Sequence, residues 1–187
     1  MKPIFESAKQ LESELISIRR TLHQYPEIGS ILPRTQSFVF GKLEEYGYCP
    51  QKLCESAVTA TISGKQPGKT ILLRADMDAL PIQEAAPVSF ASENGSMHAC
   101  GHDMHTAMLL GAAKLLKQYQ QDLVGTVKLV FQPDEEGFTG AKAMLKAGVL
   151  ENPHVDAGIA FHVVSGIPSG TVMCGSGTCM AGCTLFQ

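Results

Sequence analysis

Apolar residues recur at spacings of three and four at Leu11, Leu15, Ile18 and Leu22, which predicts an amphipathic helix from Phe5 to about His23. Pro26 and Gly29 end it. A second helix is expected from about Arg34 to Tyr46, with Phe38, Leu43 and Tyr46 on its apolar side and Gly47 as its stop. The period then changes. Val58–Ile62 alternates and is rich in β-branched residues, so it reads as a strand. Residues 64–69 (GKQPGK) read as a turn, and Thr70–Ala75 as a continuous apolar strand of the kind buried on both faces. Asp76 and Asp78 stand at its carboxyl end. Residues 82–97 look irregular. A strongly apolar helix is expected from about His105 to Gln118, and a strand over Thr126–Phe131 that runs into Gln132–Gly137. A short helix over Gly140–Lys146, a strand over Asp156–Phe161 ending in His162, and a strand over Gly170–Cys174 complete the series. Strand–helix–strand alternation predicts an α/β fold, a three-layer αβα sandwich around a mostly parallel mixed sheet.

Composition narrows the function classes. The net charge is −3 with no basic block, which gives no support for a nucleic-acid or membrane-surface partner. With no Trp and four Tyr, platforms for stacking bases are not expected either. The opening MKPIFESAKQLESEL lacks an apolar core and is not read as a signal peptide, and no apolar run is long enough to span a bilayer. A cytoplasmic setting follows, in which the six cysteines (49, 54, 100, 174, 179, 183) are expected as thiols. None of them forms a CxxC pair, and the cluster Cys174, Cys179 and Cys183 is expected as small buried thiols.

The densest chemistry lies at His98-Ala99-Cys100-Gly101-His102-Asp103-Met104-His105. Thiolate, imidazole and carboxylate are the ligands of transition metals. In open α/β sheets the site lies outside the carboxyl ends of the strands. Here those ends carry Asp76 and Asp78, Glu135 and Glu136, and His162, and Cys100–His102 enters a helix at the same edge. Singly, a Glu-Glu pair is usually a solvated turn, a His after a strand is usually a satisfied core residue, and Cys-x-His occurs by chance. Their joint placement points to a site for one or two divalent ions (Zn, Mn, Co or Ni) held by Cys100, His102, one of the two glutamates and His162. The other glutamate would be the general base that takes a proton from metal-bound water. Asp76, Asp78 and Asp103 are expected behind the ligands as acceptors that orient imidazoles. His23, at a helix end, is expected to be exposed or capping.

Four segments, RADMDALPIQE (74–84), HACGHDMHTAMLLGAAKLL (98–116), LVFQPDEEG (129–137) and AFHV (160–163), resemble the M20 metallopeptidase family, together with LHQYPEIG (22–29). The resemblance is closest to the amidohydrolase branch, which includes hippurate hydrolases, N-acyl-amino-acid amidohydrolases, N-acetyldiaminopimelate deacetylases and auxin-conjugate hydrolases. It implies metal ligands at Cys100, His102, Glu136 and His162, with Glu135 as the base. Asp76 stands where other branches carry a His ligand, and Asp78 is the orienting carboxylate. It further implies a small-molecule N-acyl amino acid substrate, a zinc-exopeptidase-like fold and a homo-oligomer in the full-length form. Family members are longer: an inserted lid domain precedes the family's last metal-binding His. The chain is therefore expected to be a truncated form, with the amino-terminal part of the catalytic domain over 1–175 and the strand leading into the lid over 176–187. The alternative expectation is an inactive metal-binding remnant or a subunit that depends on a partner.

Overall fold

The computed structural model describes residues 2–178. Of the lid-entry strand expected over 176–187, residues 176–178 are irregular, and the rest, with the thiols Cys179 and Cys183, lies outside the described residues.

The helix expected from Phe5 to His23 is two helices, α1 (Lys2–Gln10) and α2 (Glu12–Gln24). They part at Leu11, whose amide bonds back to the Ala8 carbonyl at 3.1 Å in a tighter turn. The bend serves two different surfaces: α1 leaves Ile4 and Phe5 exposed, whereas α2 buries Ile18 and Leu22. Next come α3 (Pro33–Glu45), the two-residue β1 (Gln51–Lys52), β2 (Val58–Ser63) and β3 (Gln66–Asp76). β3 begins inside the expected turn at 64–69, because Gln66 already pairs with Val124 before a register shift ahead of Thr70. α4 (His102–Gln118), a 3₁₀ turn at Gln120–Asp122, β4 (Val124–Gln132), α5 (Gly140–Lys146) and β5 (Ala157–Ala160) follow.

The sheet is mixed, in the order β1-β2-β4-β3-β5. β3 pairs parallel with both β4 and β5, while β2 runs antiparallel to β4 and to β1. Alternation along β4 builds two cores. Val127, Leu129 and Phe131 face the layer of α2, α3 and α4, and Val130 faces Met144 of α5 and Val149. Phe131, Leu129 and Leu110 of α4 are fully buried, and each such side chain contributes about 1.5–3 kcal/mol of transfer free energy. Helices thus cover both faces of the sheet, as the three-layer expectation requires. Gly111 lets α2 approach α4 closely, since a Cβ there would lie 2.8 Å from Leu15 Cδ2.

Parallel register puts the chemistry at one edge. Asp76 is opposite Gln132 and Arg74 is opposite Ala160, so Glu135, Glu136 and His162 all leave the sheet beside Asp76. The strand expected over 170–174 does not form: residues 171–175 are irregular and exposed, and no strand among the described residues pairs with the outer edge of β5. Cys174, expected to be buried, is therefore exposed. No helix among the described residues is long and apolar enough to cross a membrane.

Candidate metal centre

Gly101 precedes α4 with a φ of 84°, in the left-handed region, and a Cβ there would lie 2.4 Å from Val163 Cγ2. Glycine at this point lets the Cys100–His102 corner meet the chain leaving β5. His102, 1% exposed, donates from Nδ1 to the Asp78 carbonyl at 2.8 Å. A carbonyl can only accept, so Nδ1 carries the proton of the neutral ring and Nε2 its lone pair. Around that lone pair lie Asp76 Oδ2 at 3.6 Å, Glu136 Oε1 at 3.8 Å and Glu135 Oε2 at 3.9 Å. His162 is set in the same way. Its Nδ1 donates to the Val163 carbonyl at 2.6 Å, and its Nε2 faces Cys100 Sγ at 3.4 Å.

Ligand atoms of Cys100, His102 and His162 lie within 4.8 Å of one another, as do those of His102, Glu135 and Glu136. His102 is common to both groups. The same spacing holds for Asp76, His102 and His105, but His105 is committed elsewhere. It accepts from the Val163 amide at Nε2 (3.0 Å) and donates from Nδ1 to Asp76 Oδ1 (2.6 Å). Its role is to hold Asp76, which also accepts from Arg74 at 2.8 Å. The sequence reading missed His105, although its spacing of three from His102 puts both on one face of α4.

Electrostatics favour a cation. Burial works against protonation of His102, but Asp78, Asp76 and Glu136 outweigh it and raise its pKa. Burial, then Glu136 and Glu135, push the Cys100 thiol up to about 11, so the sulfur keeps its proton until a cation takes that place. Burial would also raise the Asp76 carboxyl, but the His105 hydrogen bond and the Arg74 charge hold it down at about 2. His102 Nε2 and Glu136 Oε1 are both buried and have no hydrogen-bond partner. Buried polar atoms are ordinarily satisfied, and an N, O and S donor set, with His102 Nε2 unpartnered and His162 Nε2 paired only with the Cys100 thiol, fits a divalent transition ion.

The glutamates sit on a strained turn. Asp134 and Phe138 flank them at φ values of 53° and 57°, unusual for residues with a side chain. The Glu136 amide donates to Asp78 Oδ2 at 3.1 Å, which ties that turn to the end of β3. Asp78 thus orients His102 through its carbonyl and the glutamate turn through its carboxylate. Asp103 departs from its expected part. Instead of supporting a ligand imidazole, it pairs with Arg19 at 2.7 Å and His23 at 2.8 Å. His23 is correspondingly 3% exposed and pairs with carboxylates, not the exposed or capping helix-end residue expected.

Residues 72–181 match the sequence model of peptidase family M20/M25/M40. The chain belongs to this family. Among its relatives is an N-acetyl-L-cysteine deacetylase of Bacillus subtilis (strain 168), 46% identical over 180 residues that cover 95% of this chain and 42% of the relative. An N-acyl-L-amino acid amidohydrolase of Geobacillus stearothermophilus is 42% identical over 166 residues, covering 87% of this chain and 44% of the relative. The fold matches the crystal structure of Bacillus subtilis YXEP protein, described as a dinuclear metal binding peptidase from the M20 family. The TM-score is 0.81 at 42% identity, over 86% of this chain and 45% of that one. The chain therefore spans less than half the length of these relatives.

Proposed function

We propose that the chain carries the metal-binding and proton-transfer residues of a metal-dependent amidohydrolase acting on N-acyl amino acids. The observation that carries this reading is the pair of buried, unpartnered atoms His102 Nε2 and Glu136 Oε1, 3.8 Å apart beside Glu135. Cys100, His102, Glu136 and His162 are the ligands for one or two divalent ions. Asp76 and Asp78 hold the ligand groups in place. An ion held there would polarise the amide carbonyl and make water acidic near neutral pH. Glu136 is assigned as ligand and Glu135 as base because the orphaned oxygen belongs to Glu136, while Glu135 has the more exposed side chain, 35% against 27%.

Glu135 takes the proton of the attacking water as the water oxygen bonds to the carbonyl carbon. It then returns that proton to the amide nitrogen as the C–N bond breaks, and the remaining hydroxyl proton passes to the freed amine, so that a carboxylate and an amino acid leave. The substrate class is supported by the deacetylase and amidohydrolase names of the relatives. A cytoplasmic setting would keep Cys100 as a thiol.

The test is turnover of N-acetyl amino acids by the purified chain with Mn²⁺ or Zn²⁺, with and without Glu135→Gln. The expected result is a loss of about 10²–10⁴-fold in the variant, with metal affinity kept. Equal turnover by the variant would remove Glu135 as the base. A second reading, a metal-binding chain that hydrolyses only with a partner, is favoured by the openness of the β5 side, where all four strand residues are exposed. Tight metal binding without turnover would support it.

A further inference from the structure

A second cluster of buried charge lies beside the proposed ligands and is centred on His23. Its Nδ1 is 2.8 Å from Asp103 Oδ2, and its Nε2 is 2.9 Å from Glu84 Oε1. All three side chains are buried, at 4%, 0% and 1% exposure. A neutral imidazole has one N–H and can donate to only one of two carboxylates; its other nitrogen would then face an oxygen lone pair. Arg19 Nε also donates to Asp103 Oδ2 at 2.7 Å, which favours that carboxylate as an anion. With His23 as an imidazolium, the cluster holds two cations and two anions, and both ring nitrogens donate.

The cluster joins three elements that are distant in sequence. Arg19 and His23 are on α2, Asp103 is in the first turn of α4, and Glu84 belongs to the irregular segment 82–97. The other oxygen of Glu84 accepts from the Ser92 amide at 2.5 Å, so the carboxylate organises the segment from within. Phe90 of the same segment lies 4.9 Å from the guanidinium carbons of both Arg19 and Arg20 and packs edge-on to His23 at 5.6 Å. Asn94 Nδ2 donates to the Pro26 carbonyl at 2.8 Å. A segment with little secondary structure of its own is thereby tied to α2, with the imidazole as the hub.

We propose that His23 is a positioning residue: as an imidazolium bridging Asp103 and Glu84, it straps the 82–97 segment across α2 to the first turn of α4, and so holds His102 in register with Glu135 and Glu136. Only the last clause rests on the metal-site reading. The groups facing His23 are Asp103 from α4, Glu84 and Phe90 from the strap, Arg19 from its own helix, and His98, whose ring is 6.3 Å away. The Asp103 hydrogen bond raises the pKa of His23, burial opposes it, and Glu84 adds to the rise, leaving it above the ordinary value. Arg19 works against protonation more weakly. A raised pKa means that the strap is fully held below the ordinary histidine pKa, about 6.5, and loosens as pH rises through the folded-state value.

The experiment is amide hydrogen exchange on the metal-free 187-residue chain, read residue by residue by NMR and corrected for intrinsic exchange, in wild type and His23→Gln. At pH 6 the amides of Ser92 and its neighbours should exchange at least ~10-fold faster in the variant, as local opening becomes cheaper, while those of β3 and β4 stay as in wild type. Wild type should approach the variant at alkaline pH, and the variant should show no such step. Unchanged strap exchange in the variant, or no alkaline step in wild type, overturns the proposal. If His23→Gln does not fold, Glu84→Gln serves, since its amide oxygen can still accept from Nε2. The His23 ring should then titrate at lower pH, with Ser92 protection reduced; an unchanged titration midpoint overturns the proposal. Zn²⁺ titration completes the set: His23→Gln should weaken binding by about 10-fold, and unchanged affinity would overturn the link to His102. Cys100→Ser should lower Zn²⁺ affinity without touching strap exchange. A Cys100→Ser chain that binds Zn²⁺ as well as wild type would sink the metal-site reading and leave the strap standing.

Discussion

On the β3–β4 side of the site, Asp76, Asp78, His102 and His105 are each no more than 2% exposed, and hydrogen bonds hold all four. On the β5 side, His162 is exposed, Phe161 is 61% exposed, and β5 itself has no buried residue. The first side is set before any ion arrives: each imidazole is oriented by a carbonyl or a carboxylate, and the carboxylates are oriented in turn. The second side is held by a four-residue parallel ladder, by the contacts of His162 with Cys100 and Val163, and by the Val163 amide on His105. Preorganisation in this molecule therefore comes from β3, β4 and α4, and β5 adds one imidazole to a shape already made.

That contrast can be broken most forcefully at Asp76. Asp76→Ala should cost about 3–5 kcal/mol of stability, the usual result of leaving buried cationic or hydrogen-bonding partners alone, here Arg74 and His105. Urea unfolding of the metal-free chain measures it, and a loss under 1 kcal/mol would mean that the buried side is not the rigid one. A smaller effect should appear with pH. Asp76 is held at about 2 against an ordinary 3.8, so it contributes stability above pH 3.8 that is lost as pH falls through 2. By linkage this is about 2 kcal/mol. His23 has the opposite sign: its raised pKa contributes stability in acid that fades on the alkaline side. Urea midpoints across pH should therefore fall at both ends. The smallest effect belongs to β5. Phe161→Ala should change stability by no more than about 0.5 kcal/mol, as for exposed positions generally, and a loss above 2 kcal/mol would show that β5 is structurally essential.

Much of this arrangement was legible in the residues because its logic is local. Alternation and apolar runs located β2, β3, β4 and β5, and the topology of a parallel sheet then brought Asp76, Glu135, Glu136 and His162 to one edge. The helix at Gly140–Lys146 was readable to the residue. What escaped is non-local or turns on a single bond. His23 meets Glu84 and Asp103 across 61 and 80 positions, and nothing in LHQYPEIG announces two buried carboxylates. The bend at Leu11 follows from which surfaces α1 and α2 cover, not from a helix-breaking residue. Thr171–Cys174 has a strand's composition but no neighbouring strand among the described residues, and without a ladder the pattern alone does not make a strand.

The central claim is that Cys100 and the Nε2 atoms of His102 and His162 take part in holding a divalent ion. X-ray absorption on the chain loaded with one equivalent of Zn²⁺ tests this most directly. One sulfur at about 2.3 Å together with nitrogen and oxygen at about 2.0–2.2 Å is expected, with the sulfur shell absent in Cys100→Ser although the other cysteines remain. A spectrum without sulfur in the wild-type chain, or a sulfur shell that survives the substitution, would contradict it.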